Sequence, residues 1–363
     1  MNLSGPRRES RSAYMEWAKT RSHARFNLAT SGLANFPIAK LRFRLEDLEL
    51  TSPGGYGYEP LQRRLAAKCE VKPECVVAAA GTSMANHLAM AALIDPGDEV
   101  LIEHPTYGLL LDVAEYLSAR VCRFPRRFEN DFQIDPRELQ RVITPRTRLI
   151  VITNLHNPSG VFTSESILKE IGDIARKVGA HVLVDEVYLD AYSALAPRSS
   201  FHLGETFVVT SSLTKVYGLS GLRCGWILAN PPLAERMWRL SDLFAASAAH
   251  PAERLSVVAL DHLDTIAAHT RSVLETNRAL LKNLLDSRKE LRAVWPEAGT
   301  IVFPLLAISN PNSFFERLRD VYETSVVPGH YFAMPNHFRI GVGGDTEMVA
   351  QGLVQLARAL DGG

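Results

Sequence analysis

Between residues 76 and 230, short β-branched runs alternate with helix-length amphipathic segments, and this alternation restricts the chain more than any other feature. The runs are Val76–Ala80, Val100–Glu103, Val121–Phe124, Arg148–Thr153, His181–Asp185, Phe207–Thr210 and Gly225–Ala229. Several, such as Leu149-Ile150-Val151-Ile152, are apolar at consecutive positions. Successive side chains of a strand point to opposite faces, so such a run is buried on both sides, as in a mostly parallel sheet covered by helices. The expectation is an α/β fold: a three-layer α/β/α large domain around a mostly parallel seven-stranded sheet, plus a smaller α/β domain.

Helices are expected near 59–68, 84–94, 107–118, 163–178 and 231–244. The fourth is the best signalled, with Thr163 or Ser164 ahead of Glu165 and then Ile167, Leu168, Ile171, Ile174 and Ala175 in helical register. From about Ala252 to Val294 the pattern predicts one long helix joining two domains. Beyond it, strands near Thr300–Leu305, Ser325–Val327 and Phe338–Val342 and helices near 312–323 and 345–360 form the smaller unit. The expected division is a large domain over 42–251 and a small domain built from 1–41 and 252–363.

Forty Lys and Arg balance forty Asp and Glu, so no global field draws this chain to nucleic acid or an anionic membrane. A small-molecule partner is expected. Polar groups at Gly81, Thr82, Ser83, Asn86 and His87 interrupt the longest uncharged stretch, Val76 to Ile94, so no transmembrane helix is expected. Met1 to Ser12 carries three Arg and reads as a mobile arm, not a secretory signal. Cys69, Cys75, Cys122 and Cys224 lack metal or disulfide spacing and read as reduced packing thiols in a cytoplasmic protein.

Ligands of open α/β sheets bind outside the carboxyl ends of the strands, which directs attention to polar residues just after them. Gly81-Thr82-Ser83 offers an anion backbone N–H groups, hydroxyls and a helix start, or is an ordinary cap with Ser83 as capping residue. Asn157-Pro158-Ser159-Gly160 reads equally as a turn, with His156 a neighbour rather than a metal ligand. Asp185 ends an apolar strand as either a functional or a capping carboxylate. Lys215 follows Ser211-Ser212-Leu213-Thr214, and a partly desolvated lysine there forms Schiff bases, whereas a solvated one is a plain loop residue.

Taken together and in this order, these motifs resemble the fold type I pyridoxal-5′-phosphate enzymes of the class I and II aminotransferase group. Asp185-Glu186-Val187-Tyr188 stands 28 residues after Asn157, Lys215 30 residues after Asp185, and Arg223 eight after Lys215. Gly57-Tyr58-Glu59-Pro60-Leu61, Pro105-Thr106-Tyr107 and Phe338-Arg339-Ile340-Gly341 extend the resemblance over nearly the whole chain. It implies that Lys215 holds pyridoxal 5′-phosphate as a Schiff base and moves the proton at the substrate α-carbon. Asp185 would pair with the pyridine nitrogen, Asn157 and Tyr188 would donate to the ring oxygen, and Tyr107 would lie on the ring face. Thr82, Ser83, Ser212 and Arg223 would hold the phosphate; Arg339, Asn157 and the backbone near Gly32 would bind the substrate α-carboxylate. No metal is implied.

The resemblance also implies a homodimer acting on small amino acids and 2-oxo acids, with a second subunit completing the site. Two departures stand out. Ser52 occupies a place that the family gives to an aromatic, with Tyr56 next to the glycine, and the chain is short at its amino-terminal arm and small domain. The leading expectation is an aminotransferase working by two half-reactions. The alternative within the fold is a β-lyase, to which His156-Asn157-Pro158 is reminiscent. A non-catalytic cofactor-sensing module behind a DNA-binding domain is disfavoured, because only about fifty residues precede Gly57.

Overall fold

The computed structural model describes residues 11–195 and 197–362. Met1 to Ser10 of the expected arm lie outside the described residues. The seven expected strands form one sheet: β1 Val76–Ala80, β2 Glu99–His104, β3 Arg120–Pro125, β4 Thr147–Thr153, β5 His181–Asp185, β6 Phe207–Ser212 and β7 Cys224–Leu228. Their spatial order is β1-β7-β6-β5-β4-β2-β3. Only β7 runs against its neighbours, β1 and β6; the other pairings are parallel.

The consecutive apolar positions do what the sequence predicts. Ile150 and Ile152 of β4 and Val182 and Val184 of β5 face one core, where Leu61 and Leu65 of α2 (Glu59–Cys69) and Leu168 and Ile171 of α6 (Glu165–Val178) cover them. Leu149 and Val151 of β4 and Leu183 of β5 face the opposite core, under Leu88 of α3 (Gly81–Leu93), Leu110 of α4 (Gly108–Tyr116) and Met237 of α7 (Pro231–Ser241). Each such aliphatic side chain contributes roughly 1.5–3 kcal/mol on burial, so the sheet has no solvent face to offer and ligands are left with its edges. Ser164 caps α6, its hydroxyl accepting from the Ile167 N–H.

Residues 252–294 do not form one helix. The segment divides into α8 (His250–Asp261) and α9 (Leu263–Ser287), with His262 between them at φ −114° and ψ 18°. The change of core comes later, within α9. Ala259 and Ile266 lie in the sheet's first core, whereas Leu274 and Leu281 lie in a separate core with Phe314 and Leu318 of α10 (Pro311–Asp320) and Leu353 and Leu356 of α11 (Thr346–Asp361). A three-stranded antiparallel sheet of β8 (Ile301–Val302), β9 (Val327–Pro328) and β10 (Phe338–Gly341), in the order β8-β10-β9, supports that second core. Its strands are shorter than the sequence predicts.

Two helices escaped the periodicity reading: α5 (Pro136–Val142) and α1 (Ala13–Thr20). Helix α1 starts at Ser12, whose hydroxyl accepts from the Met15 N–H, and buries Tyr14 and Trp17 against Phe332 and Phe303. Among the described residues no helix is long and apolar enough to cross a membrane.

Candidate active site

The strand register brings the polar residues together. Thr153 of β4 pairs with Asp185 of β5, and Asp185 with Thr210 of β6, so these carboxyl ends are level. Because β7 is antiparallel, it starts at the same edge, where Ala80 pairs with Cys224 and Ser212 with Gly225. Arg223, just before β7, therefore meets the start of α3. The cavity above this edge, about 770 Å³, is lined by Thr82, Ser83, Tyr107, Asn157, Asp185, Tyr188, Ser212, Lys215, Arg223 and Arg339 among others.

Lys215 is half-buried there, its Nζ donating to the Ser31 hydroxyl at 3.2 Å. Burial, and then the Arg339 charge, lower its pKa from the ordinary lysine value to about 8, against the opposing pull of Asp185. Asp185 is buried. Its carboxylate accepts from Asn86 Nδ2 at 2.8 Å and from the Val187 N–H at 3.1 Å, and Thr210 orients the Asn86 amide by donating to Oδ1 at 2.6 Å. Burial raises the carboxyl to about 6 in spite of these donors. Burial likewise pushes the Tyr188 phenol up to about 12.

At the opposite end, α3 begins at Gly81 with no side-chain cap, so Ser83 is not the capping residue but a first-turn residue with its hydroxyl available. Thr82 donates to the Ser212 hydroxyl at 2.8 Å, and Arg223 Nη2 donates to the Ala80 carbonyl at 3.0 Å. Hydroxyls, a guanidinium and a helix N-terminus make this end an anion cradle.

The third corner is Arg339, 1% exposed, with Nη1 donating to Asn157 Oδ1 at 2.9 Å. Asn157 is held in turn, its N–H donating to Thr153 Oγ1 at 2.8 Å, and Thr153 donates to Glu103, which is paired with Arg126 at 2.8 Å in full burial. Tyr107 packs its ring edge-on against Tyr14, centroids 5.4 Å apart. Gly32 backs the Lys215 side chain, where a Cβ would lie 3.5 Å from Cδ, and it is the Ala29 carbonyl that reaches Arg339 Nη2, at 3.1 Å. His156 is wholly buried between the Ser159 hydroxyl and the Pro105 carbonyl, in keeping with a neighbour's role.

Sequence reasoning missed Tyr14, Ser31, Asn86 and the Glu103–Arg126 pair. Asn86 had a usable signal, since it lies one helical turn after Thr82 and Ser83 and so shares their face of α3. The others have partners far along the chain and no local signature.

This donor set fits a flat, phosphate-bearing aromatic aldehyde: an amine of lowered pKa for the carbonyl, a buried carboxylate for a ring cation, and a cradle for a dianion. Among the described residues no group of His, Cys, Asp and Glu is arranged to hold a metal ion.

A sequence model of the family "Aminotransferase class I and II" matches residues 47–356. Capreomycidine synthase of Streptomyces vinaceus is 29% identical over 98% of this chain and 95% of its own. Among solved structures, a PLP-dependent aminotransferase from Streptococcus suis superposes with a TM-score of 0.91 at 27% identity, covering 97% of both chains. The PLP-dependent cyclase OrfR superposes with a TM-score of 0.87 at 26% identity, over 99% of both.

Proposed function

The chain belongs to the class I and II aminotransferase family, a pyridoxal 5′-phosphate-dependent enzyme of fold type I, and we propose that it moves an amino group from an amino acid to a 2-oxo acid in two half-reactions. The observation that carries this reading is the convergence of Lys215, Asp185 and Arg339 on one cavity whose far end is the Thr82, Ser83, Ser212 and Arg223 cradle.

The cofactor, when bound, supplies an aldehyde for covalent capture of amines and a ring that draws electrons from the substrate α-carbon. The chain's own residues do the rest. Lys215, with its pKa near 8, is neutral in a useful fraction at physiological pH, so it captures the aldehyde and later holds and moves the α-carbon proton. Asp185, fixed by Asn86 and Val187, holds the ring nitrogen's proton. Tyr107 covers the ring. Asn157 spends Oδ1 on Arg339 and keeps Nδ2 to donate to the ring oxygen, alongside Tyr188. Arg339 binds the substrate α-carboxylate. Thr82, Ser83, Ser212 and Arg223 anchor the phosphate.

The same reading covers the remaining expectations. We take 42–251 as the cofactor-binding domain and 1–41 with 252–363 as the small domain, a division that the separate core of α9, α10 and α11 supports. We take the working form as a homodimer. A groove of about 390 Å³ opens beside Arg223, lined by Ala78, Met84, Leu88, Trp238 and Phe244, the last of which is 49% exposed. A cytoplasmic setting accords with four free cysteines.

A second reading comes from the cyclase, which matches nearly the full chain: ring closure within the bound amino acid in place of amino-group transfer. β-Elimination is not favoured. An amino-acid panel distinguishes them. Transamination converts the cofactor to its pyridoxamine form and yields a 2-oxo acid, cyclisation returns the aldehyde form with a cyclic amino acid, and elimination releases ammonia.

A further inference from the structure

Helix α1 places Tyr14 against Arg339, and no expectation from the sequence involved this residue. The tyrosine is 9% exposed, lines the cavity, and its hydroxyl accepts from Arg339 Nη2 at 2.9 Å. Its ring is fixed edge-on between Tyr107, at 5.4 Å and 85°, and Tyr331, at 5.9 Å and 73°. The hydroxyl's own proton goes to no group among the described residues. Arg339 is likewise only partly satisfied. Nη1 serves Asn157, Nη2 serves Tyr14 and Ala29, and Nε is buried with no partner among the described residues.

Arg339 Nε lies too deep for a ligand to reach, but the Tyr14 O–H is an unspent donor beside the guanidinium in the cavity wall. Buried donors are rarely left unmatched, because each costs the loss of its bond to water. A substrate carboxylate supplies an acceptor for the hydroxyl.

We propose that Tyr14 is a binding residue for the substrate α-carboxylate, donating its hydroxyl proton to one carboxylate oxygen while Arg339 engages the group. This inference rests on the role proposed for Arg339. It makes α1 part of the binding site and not merely a cover over it.

The test is calorimetric, with the holoenzyme and two unreactive probes, 3-phenylpropanoate and its uncharged amide, 3-phenylpropanamide. Tyr14→Phe keeps the ring and its packing and deletes only the hydroxyl. It is expected to weaken 3-phenylpropanoate by roughly 10- to 100-fold, the loss of a hydrogen bond to a charged group. Binding of the amide and the cofactor absorbance should stay unchanged. For a reactive amino donor the loss should fall on KM more than on kcat. Carboxylate binding as tight as, or tighter than, that of the unmodified enzyme overturns the proposal, as does an equal loss of acid and amide. If Arg339→Ala abolishes carboxylate binding while Tyr14→Phe leaves it intact, only the role of Tyr14 falls. If Arg339→Ala still binds the carboxylate, the underlying reading of Arg339 falls with it.

Discussion

The Lys215 ammonium sits in a cavity it shares with Arg339, and the cost is legible as a pKa of about 8. Between that value and the ordinary lysine value of 10.5, the unfolded chain holds a proton that the folded chain has released, so stability rises with pH across the window. Below pH 8 both states are protonated and the folded state bears the whole burden. Cofactor-free Lys215→Met should therefore be more stable than the unmodified protein at pH 7, by up to about 3 kcal/mol at ~1.4 kcal/mol per pKa unit. The gap should close towards pH 10.5, and urea unfolding at pH 7 and 9.5 reads it; a less stable variant at pH 7 would falsify the burden. Asp185 has the opposite sign. Its carboxyl, raised to about 6, holds a proton below that pH and then has no charge for a ring cation. Cofactor affinity should fall as pH drops through about 6, and this step should vanish in Asp185→Asn. That variant should bind cofactor at neutral pH yet turn over roughly 10- to 1,000-fold more slowly, since a contacting carboxylate is worth about 1–3 pKa units on the ring nitrogen. Normal kcat would leave Asp185 a capping residue.

Among the elements, the junction of β1, α3 and β7 sets the anion cradle, and its tolerance is small. Gly81 has φ +75°, and a Cβ there would lie 2.3 Å from Arg223 Nη2. Across from it, a Cβ on Gly225 would lie 2.5 Å from the Gly81 carbonyl carbon. The two positions fail differently. In Gly81→Ala the obstacle is the end of an arginine side chain, which can move, so the expected damage is to phosphate anchoring: a roughly 10- to 100-fold rise in the Kd of pyridoxal 5′-phosphate by equilibrium dialysis, with about 1–3 kcal/mol of strain. In Gly225→Ala the obstacle is backbone, so β7 and the α3 start must part, and the larger loss should be in thermal stability. Equal cofactor affinity in Gly81→Ala and the unmodified protein would remove Arg223 from the cradle. Element positions were legible where the pattern was long, as for β4, β5 and α6. They were not legible for α1, eight residues with only Tyr14 and Trp17 buried, nor at His262, where the apolar stripe continues and Ala259 and Ile266 on either side face the same core.

Over the whole molecule, exposed Phe244 borders a groove that opens beside Arg223, so the surface proposed for a second copy is continuous with the cofactor's anchoring end. Sedimentation equilibrium should give about twice the chain mass of 40.2 kDa. Phe244→Asp should shift the protein towards the monomer and weaken cofactor binding with it, whereas a monomeric unmodified protein would rule out a shared site. The amino-acid sequence by itself determined the sheet and its edge, because burial on both faces writes consecutive apolar residues into each strand and the polar residues after them can only stand at the strand ends. It also offered Lys215, Asp185 and Asn157 as candidates, through polar residues placed just after strands, while Arg223 and Arg339 came from the resemblance to the aminotransferase family. Only the tertiary structure decided what each one touches. Asn86 reaches Asp185 from 99 residues away, Ser31 reaches Lys215 from 184, and Tyr14 reaches Arg339 from 325. Contacts over such separations leave no period in the sequence, since they depend on how helices and loops pack over the sheet, and a single serine or tyrosine in a short segment looks the same whether it meets solvent or a buried guanidinium.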